Sequence, residues 1–145
     1  MRDGGYYNNW NFTKKFANKY LSVLSELDID YVEIGFKKLI NSKDFGPFCR
    51  SDYSYIRKLN IPKNLKLCAM ADLSDFKNKK YFKNLDKIFT NRESKKISMI
   101  RLACNYQDKN LLEKVVPRLQ KNNFKVAINL MKFTMLKNTE IINFF

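Results

Sequence analysis

The chain has 145 residues, of which 45% are hydrophobic and 14% aromatic, and it carries a formal net charge of +14. This length predicts one domain with a buried core, and the composition excludes an intrinsically disordered chain. No apolar run approaches the roughly 20 residues that cross a bilayer, and residues 2–5 (RDGG) lack the apolar segment of a signal peptide. We therefore expect a cytoplasmic globular protein.

Four short apolar segments predict the strands of a parallel sheet. Each is almost continuously apolar, as strands covered on both faces are. Their starts lie 34, 32 and 28 residues apart, which is the length of a strand, a helix and two loops. The predicted strands cover residues 31–36, 65–70, 97–103 and 125–131.

The segments around these strands predict helices, because their apolar residues recur at spacings of three and four. Pro117 lies inside the last predicted helix and indicates a kink. Each helix has a residue near its start that can cap it. The predicted starts are Thr13 or Asn11 for a helix through Leu27, Ser51 or Asp52 for one through Leu59, Ser74 for one through Phe89, and Asp108 for one through Leu119.

Repeated strand–helix units without a G-x-G-x-x-G motif favour a (β/α) barrel over a doubly wound sheet. A complete barrel needs eight units and about 250 residues. Counting residues 1–3 as the end of a first strand, the chain supplies about the first five units. We therefore predict the α/β class, with residues 1–145 forming a single incomplete TIM-barrel domain of parallel strands.

The charged residues near the start of the chain suggest a site. Arg2 and Asp3 stand before Gly4-Gly5, where the backbone can turn sharply. Glu33 lies in the middle of an apolar strand, where an unpaired carboxylate would be costly, and Arg2 could neutralise it. Asp3 would then be free to bind a divalent metal through its oxygens. A simple turn with a solvated ion pair is the alternative interpretation.

Three longer segments strengthen the first interpretation. Residues 2–10 (RDGGYYNNW), 31–36 (YVEIGF) and 46–48 (GPF) together resemble the DRE-TIM metallolyase family, and within it the 4-hydroxy-2-oxovalerate aldolase branch. The resemblance extends over essentially the whole chain. Its supporting segments are residues 61–65 (IPKNL), 97–103 (ISMIRLA) and 129–131 (NLM).

The resemblance implies a (β/α)₈ barrel with Mn²⁺ or Mg²⁺ at its mouth, and a carbon–carbon lyase that acts on 2-keto acids such as pyruvate through an enolate. By position, Asp3 would be a metal ligand. Arg2 would stabilise the charge of the enolate as it develops, and Glu33 would orient Arg2. Arg2 and Glu33 are therefore the predicted catalytic residues.

The chain also departs from the family. The family takes two further metal ligands from a His-x-His pair, and this chain has no histidine. Tyr6 stands about where aldolases of the branch often have a histidine, and Asn105 stands where relatives can carry another. Met1 directly precedes Arg2, so the upstream part of the first strand is missing. We expect a truncated form, inactive alone, that does not bind the metal tightly.

Two other functions remain open. A half-barrel without catalytic activity could self-associate, or work only with a second chain that supplies the missing C-terminal strands, because an unclosed barrel exposes two sheet edges. A basic nucleic-acid-binding protein is less favoured, since 22 lysines against six arginines are spread along the chain. Its candidate face comprises Tyr81 with Lys77, Lys79, Lys80, Lys83, Lys87, Lys95 and Lys96.

The three cysteines, Cys49, Cys68 and Cys104, are far apart and form no C-x-x-C pair. This spacing and the lack of histidine exclude an ordinary zinc site. We expect reduced, buried thiols that pack as small apolar side chains.

Overall fold

The computed structural model describes residues 1–39 and 43–144. It contains one sheet of four parallel strands in the order β1-β2-β3-β4. The strands are β1 (Tyr31–Phe36), β2 (Lys66–Asp72), β3 (Ile97–Cys104) and β4 (Lys125–Leu130). This confirms the predicted α/β class, the parallel pairing and the approximate positions of the four predicted apolar strands.

Eight helices accompany the strands in the described part of the chain. They are α1 (Lys14–Leu24), α2 (Pro47–Arg50), α3 (Tyr53–Ile56), α4 (Lys79–Lys83), α5 (Leu85–Ile88), α6 (Asn91–Ser94), α7 (Lys109–Lys121) and α8 (Asn138–Phe144). Short 3₁₀ turns cover Asp3–Tyr7, Leu73–Lys77, Tyr106–Asp108 and Phe133–Met135. None of the helices within residues 1–39 and 43–144 has both the length and the apolarity to span a bilayer.

The cap of the first helix is as predicted, whereas the helix predicted to begin at Ser74 differs. Thr13 Oγ1 accepts a hydrogen bond from the amide of Phe16 at the start of α1. The helix expected from Ser74 to Phe89 is instead a 3₁₀ turn followed by α4 and α5. The division occurs because Asn78 caps α4, accepting from the amide of Lys80, and Asn84 has non-helical backbone angles.

The beginning of the chain also folds differently from the expectation. Residues 1–3 lie outside the sheet and lead into the 3₁₀ turn Asp3–Tyr7 rather than a strand. The amide of Gly5 instead donates to the carbonyls of Met1 and Arg2.

The two faces of the sheet differ in chemistry. Strand side chains alternate between faces, and one face presents apolar residues that pack beneath the helices, including Ile34, Leu67, Ala69, Ile100 and Leu102, all at most 1% exposed. Pairing of Glu33 with Cys68, and of Met70 with Arg101, places polar and sulfur-bearing side chains together on the opposite face. We call this second face the inner face, because it would line the interior of a closed barrel.

A buried ion pair joins the end of β1 to the helical layer. Lys37 follows β1 directly, and its ammonium lies 2.5 Å from a carboxylate oxygen of Glu93 in α6. Both side chains are almost completely buried. Glu93 also closes a capping box, since its other oxygen accepts from the amide of Thr90 and its own amide donates to the Thr90 hydroxyl. This pair fixes the start of the loop that leaves β1.

We predict that Glu93→Ala destabilises the protein by about 3–5 kcal/mol, because it leaves the Lys37 ammonium buried without its nearest carboxylate. The double variant Lys37→Met/Glu93→Leu should recover most of that loss, since it removes both charges while keeping the volume. Urea unfolding followed by circular dichroism measures both free energies of unfolding. A Glu93→Ala loss below about 1 kcal/mol would show that the pair is solvated in solution.

Candidate functional site

A tight turn at the start of the chain positions Arg2. The indole Nε1 of Trp10 donates a hydrogen bond to the carbonyl oxygen of Arg2 at 2.8 Å, and the Trp10 amide donates to Gly5. Trp10 is 3% exposed and has φ of 58°, a conformation that is costly for a bulky residue. A Cβ on Gly5 would lie 2.0 Å from the indole ring, so this turn requires glycine there.

The Glu33 carboxylate joins two arginines on the inner face of the sheet. Arg101, on β3, donates through Nε to one oxygen at 2.7 Å and through an Nη to the other at 3.0 Å. Arg2 Nε makes an ion pair with the same carboxylate but has no well-formed hydrogen bond there, although it is buried. The contact is therefore one of charge more than of directed hydrogen bonding.

The three charged side chains of this cluster are partly buried. The Arg2 and Glu33 side chains are each about 20% exposed, and that of Arg101 is 31% exposed. An Arg101 Nη also lies 3.7 Å from the sulfur of Met70. Two guanidinium groups share one carboxylate here, so Glu33 alone does not neutralise the positive charge around it.

The predicted residues Arg2 and Glu33 are thus in contact, whereas Asp3 has a different environment. The Asp3 carboxylate lies 2.9 Å from an Nη of Arg2, but its side chain is 77% exposed. Arg101 was not singled out from the sequence. An arginine within the apolar strand Ile97–Cys104 was the available signal, but its partner is 68 residues away in sequence.

A cavity of about 280 Å³ opens at the carboxyl ends of the strands. In parallel α/β folds this end is where ligands bind. Its polar lining includes Arg2, Tyr6, Lys38, Asp72, Asn105 and Lys132. Phe36, Met70 and Met131 contribute apolar surface. We call this the mouth cavity, and Arg2 connects it to the Glu33 carboxylate.

The donors present do not fit a complete site for a divalent metal. Within residues 1–39 and 43–144, no group of three or more acidic, cysteine or histidine side chains could hold a metal ion. Asp3 is exposed and does not line the mouth cavity. Asp72 does line it, but one of its oxygens caps the following turn by accepting from the amide of Ser74. Mg²⁺ and Mn²⁺ need several oxygen or nitrogen ligands.

The cysteines are free and buried, as predicted. Burial, followed by the negative charge of Glu33, raises the pKa of the Cys68 thiol to about 11. Its sulfur lies 3.9 Å from a Glu33 oxygen. Burial, followed by the charges of Asp108 and Asp72, raises the pKa of Cys104 to about 11. Neither thiol is an activated nucleophile, since nucleophilic cysteines have lowered pKa values.

Comparison with known proteins gives one informative match. No family model matches the chain, and no curated protein matches it. The fold is similar to the crystal structure of "the N-terminal domain of a putative aldolase from Bacteroides vulgatus", with a TM-score of 0.82 and 26% sequence identity. The alignment covers 97% of this chain and 46% of that one, so this chain spans less than half of its length. The match is consistent with an aldolase-like partial barrel.

Burial and, after it, the Glu33 carboxylate both raise the pKa of the Cys68 thiol. We predict that Glu33→Gln lowers the pKa of Cys68, because it removes a negative charge that disfavours the thiolate and leaves two nearby guanidiniums. Iodoacetamide alkylation between pH 7 and pH 11.5, read at each cysteine by mass spectrometry, measures the change. Cys104, which Glu33 does not influence, is the internal control. Equal shifts at both cysteines, or none at Cys68, would contradict the described geometry.

Proposed function

We propose that this chain is the N-terminal part of a carbon–carbon lyase of the DRE-TIM metallolyase family, similar to 4-hydroxy-2-oxovalerate aldolase and acting on 2-keto acids. The observation that carries the proposal is the contact of Arg2 with Glu33 beside the mouth cavity. The similarity to the N-terminal domain from Bacteroides vulgatus supports it.

The proposed chemistry relies on Arg2. When the bond next to a carbonyl breaks, negative charge develops on the carbonyl oxygen of the resulting enolate. A guanidinium held in place beforehand stabilises that charge without having to reorganise during the reaction. Glu33 holds the Arg2 side chain and Trp10 holds its backbone. Glu33 therefore acts as a positioning residue, and Arg101 fixes the orientation of its carboxylate.

The metal of the intact family is a separate question. We propose that Asp3 occupies the position of a metal ligand, and that this chain alone does not hold Mn²⁺ or Mg²⁺ tightly, because the sequence contains no histidine. We propose that the remaining donors come from a complementing polypeptide. A complete catalytic site then requires further barrel strands.

Exposed apolar surface supports a role for such additional strands. β1 and β4 are the two edges of the described sheet. Ile128 on β4 and Met131, Phe133 and Met135 just beyond it are between 41% and 77% exposed. We propose that a complementing C-terminal half, or a second copy, covers this surface. A half-barrel that works only in such a complex is the second candidate function.

The distribution of the lysines gives less support to nucleic-acid binding. Lys77, Lys79 and Lys83 line one groove, Lys87 lines a different cavity, and Lys95 and Lys96 line a third depression. The ammonium of Lys77 is also engaged by the buried carboxylate of Asp108, at 2.7 Å. Binding of nucleic acid by this face is expected to be weak and to disappear at about 150 mM salt.

Exchange of the pyruvate methyl protons with D₂O tests the proposed enolate chemistry without requiring the correct aldehyde. We expect no exchange above buffer for the isolated chain with Mg²⁺. Mixing it with a polypeptide that carries the uncovered part of the Bacteroides vulgatus domain should give exchange measurable by NMR. Arg2→Gln should reduce that exchange by about 10²–10³-fold, the usual effect of removing a stabilising donor.

Arg57→Gln is the matched control, because Arg57 is exposed on the helical side and does not line the mouth cavity. It should leave the exchange rate unchanged. Robust exchange by the isolated chain would contradict its proposed incompleteness. Full exchange by the mixture containing Arg2→Gln would contradict the role of Arg2.

A further inference from the structure

The charged residues that line the mouth cavity carry a net positive charge, which exceeds the charge of a ligand with one carboxylate. Arg2, Lys38 and Lys132 line it, against the single carboxylate of Asp72. Arg2 already has two carboxylate partners, Asp3 and Glu33, of which Glu33 also pairs with Arg101. The two lysines are different, since neither has a carboxylate within ion-pair distance among the residues the structure describes.

Aromatic rings, rather than an acidic partner, position Lys38. Its ammonium lies 5.2 Å from the centre of the Trp10 ring and 5.1 Å from that of Phe36. Its amide donates to the carbonyl of Cys49, which fixes the backbone. Cation–π contacts orient an ammonium without neutralising its charge. The charge of Lys38 also acts on the Asp75 carboxylate, which lies beyond ion-pair distance. Because no carboxylate of the described residues forms an ion pair with Lys38, its ammonium can bind an anion in the cavity.

Lys132 occupies a backbone position where lysine is unfavourable. It lies just after β4 with φ of 56° and ψ of 31°, in the left-handed region that favours glycine or asparagine. No ion pair between Lys132 and a carboxylate of the described residues offsets the cost of this conformation. Residues held in such conformations are frequent at ligand sites.

From these contacts we infer that the mouth cavity binds a dianion, namely a 2-oxo acid that carries a second anionic group, a carboxylate or a phosphonate-like group. The 2-oxo acid end lies towards Arg2, and the second anionic group lies towards Lys38 and Lys132. This inference rests on the proposed function for the orientation of the ligand. The preference for dianions depends on the two lysines. It can be measured by binding alone, without turnover, a metal or a complementing chain.

Binding to the isolated chain, measured by calorimetry at constant ionic strength, tests the inference. The probes are 2-oxoglutarate, phosphonopyruvate and the matched monoanion 2-oxobutyrate. We expect at least one dianion to bind about tenfold more tightly than 2-oxobutyrate, since each partly exposed ion pair contributes up to about a fivefold effect. The tighter dianion identifies the second group as carboxylate or phosphonate.

Variants of the lysines separate selectivity from folding. Lys132→Asn keeps a residue that tolerates positive φ, and it should reduce the dianion preference about threefold or more while leaving 2-oxobutyrate binding within about twofold. Lys132→Gly should reduce the preference and raise Tm, because glycine relieves the backbone cost. Lys38→Gln should also reduce the preference, and Lys38→Arg should retain it.

Lys19→Gln, an exposed lysine on α1, controls for general attraction to a chain of net charge +14. Equal affinity for dianions and monoanions would overturn the inference. A preference unaffected by both lysine variants would overturn it too, as would equal weakening by Lys19→Gln. If the chain prefers dianions but the mixture shows no proton exchange that depends on Arg2, only the proposed function is contradicted.

Discussion

One carboxylate, that of Glu33, determines how the first residues of this chain relate to its sheet. A carboxylate on the inner face of an otherwise apolar strand must be paired, or its desolvation would oppose folding. Arg101 provides two hydrogen bonds from β3, and Arg2 provides an ion pair from the start of the chain. The pairing brings together residues that are 31 and 68 positions from Glu33 in sequence.

The parallel topology of the sheet places this ion-pair cluster next to the mouth cavity. The carboxyl ends of all four strands point the same way, so the residues that follow them converge on one edge of the sheet. Lys38 follows β1, Asn105 follows β3 and Lys132 follows β4, and all three line the mouth cavity with Arg2. The buried pair of Lys37 with Glu93 anchors the first of these loops from the opposite face.

Much of the fold was predictable because it depends on local pattern. Apolar runs at regular spacing predicted all four strands, and the residue types around Thr13 predicted the cap of α1. The break at Asn78 and Asn84 was not predicted, since the apolar stripe of the segment continues across it. The turn at residues 3–7 was missed because its conformation depends on the Trp10 side chain, which binds the Arg2 carbonyl.

The site was predictable only in part. The need to neutralise Glu33 predicted its contact with Arg2, which the structure contains. The role of Asp3 as a metal ligand stays a prediction, and the structure places its exposed carboxylate 2.9 Å from the guanidinium of Arg2. The contribution of Arg101 depends on strand register, and register includes irregularities between Glu33 and Gly35 and between Leu67 and Cys68 that no sequence pattern indicates.

A double-mutant cycle between Arg2→Gln and Glu33→Gln tests the central claim most directly. Urea unfolding of the two single variants, the double variant and the parent chain gives the coupling free energy. The described contact predicts a coupling of about 1–3 kcal/mol, because both side chains are largely buried. A coupling indistinguishable from zero, with all variants folded, would show that Glu33 does not hold Arg2 and would contradict this account of the site.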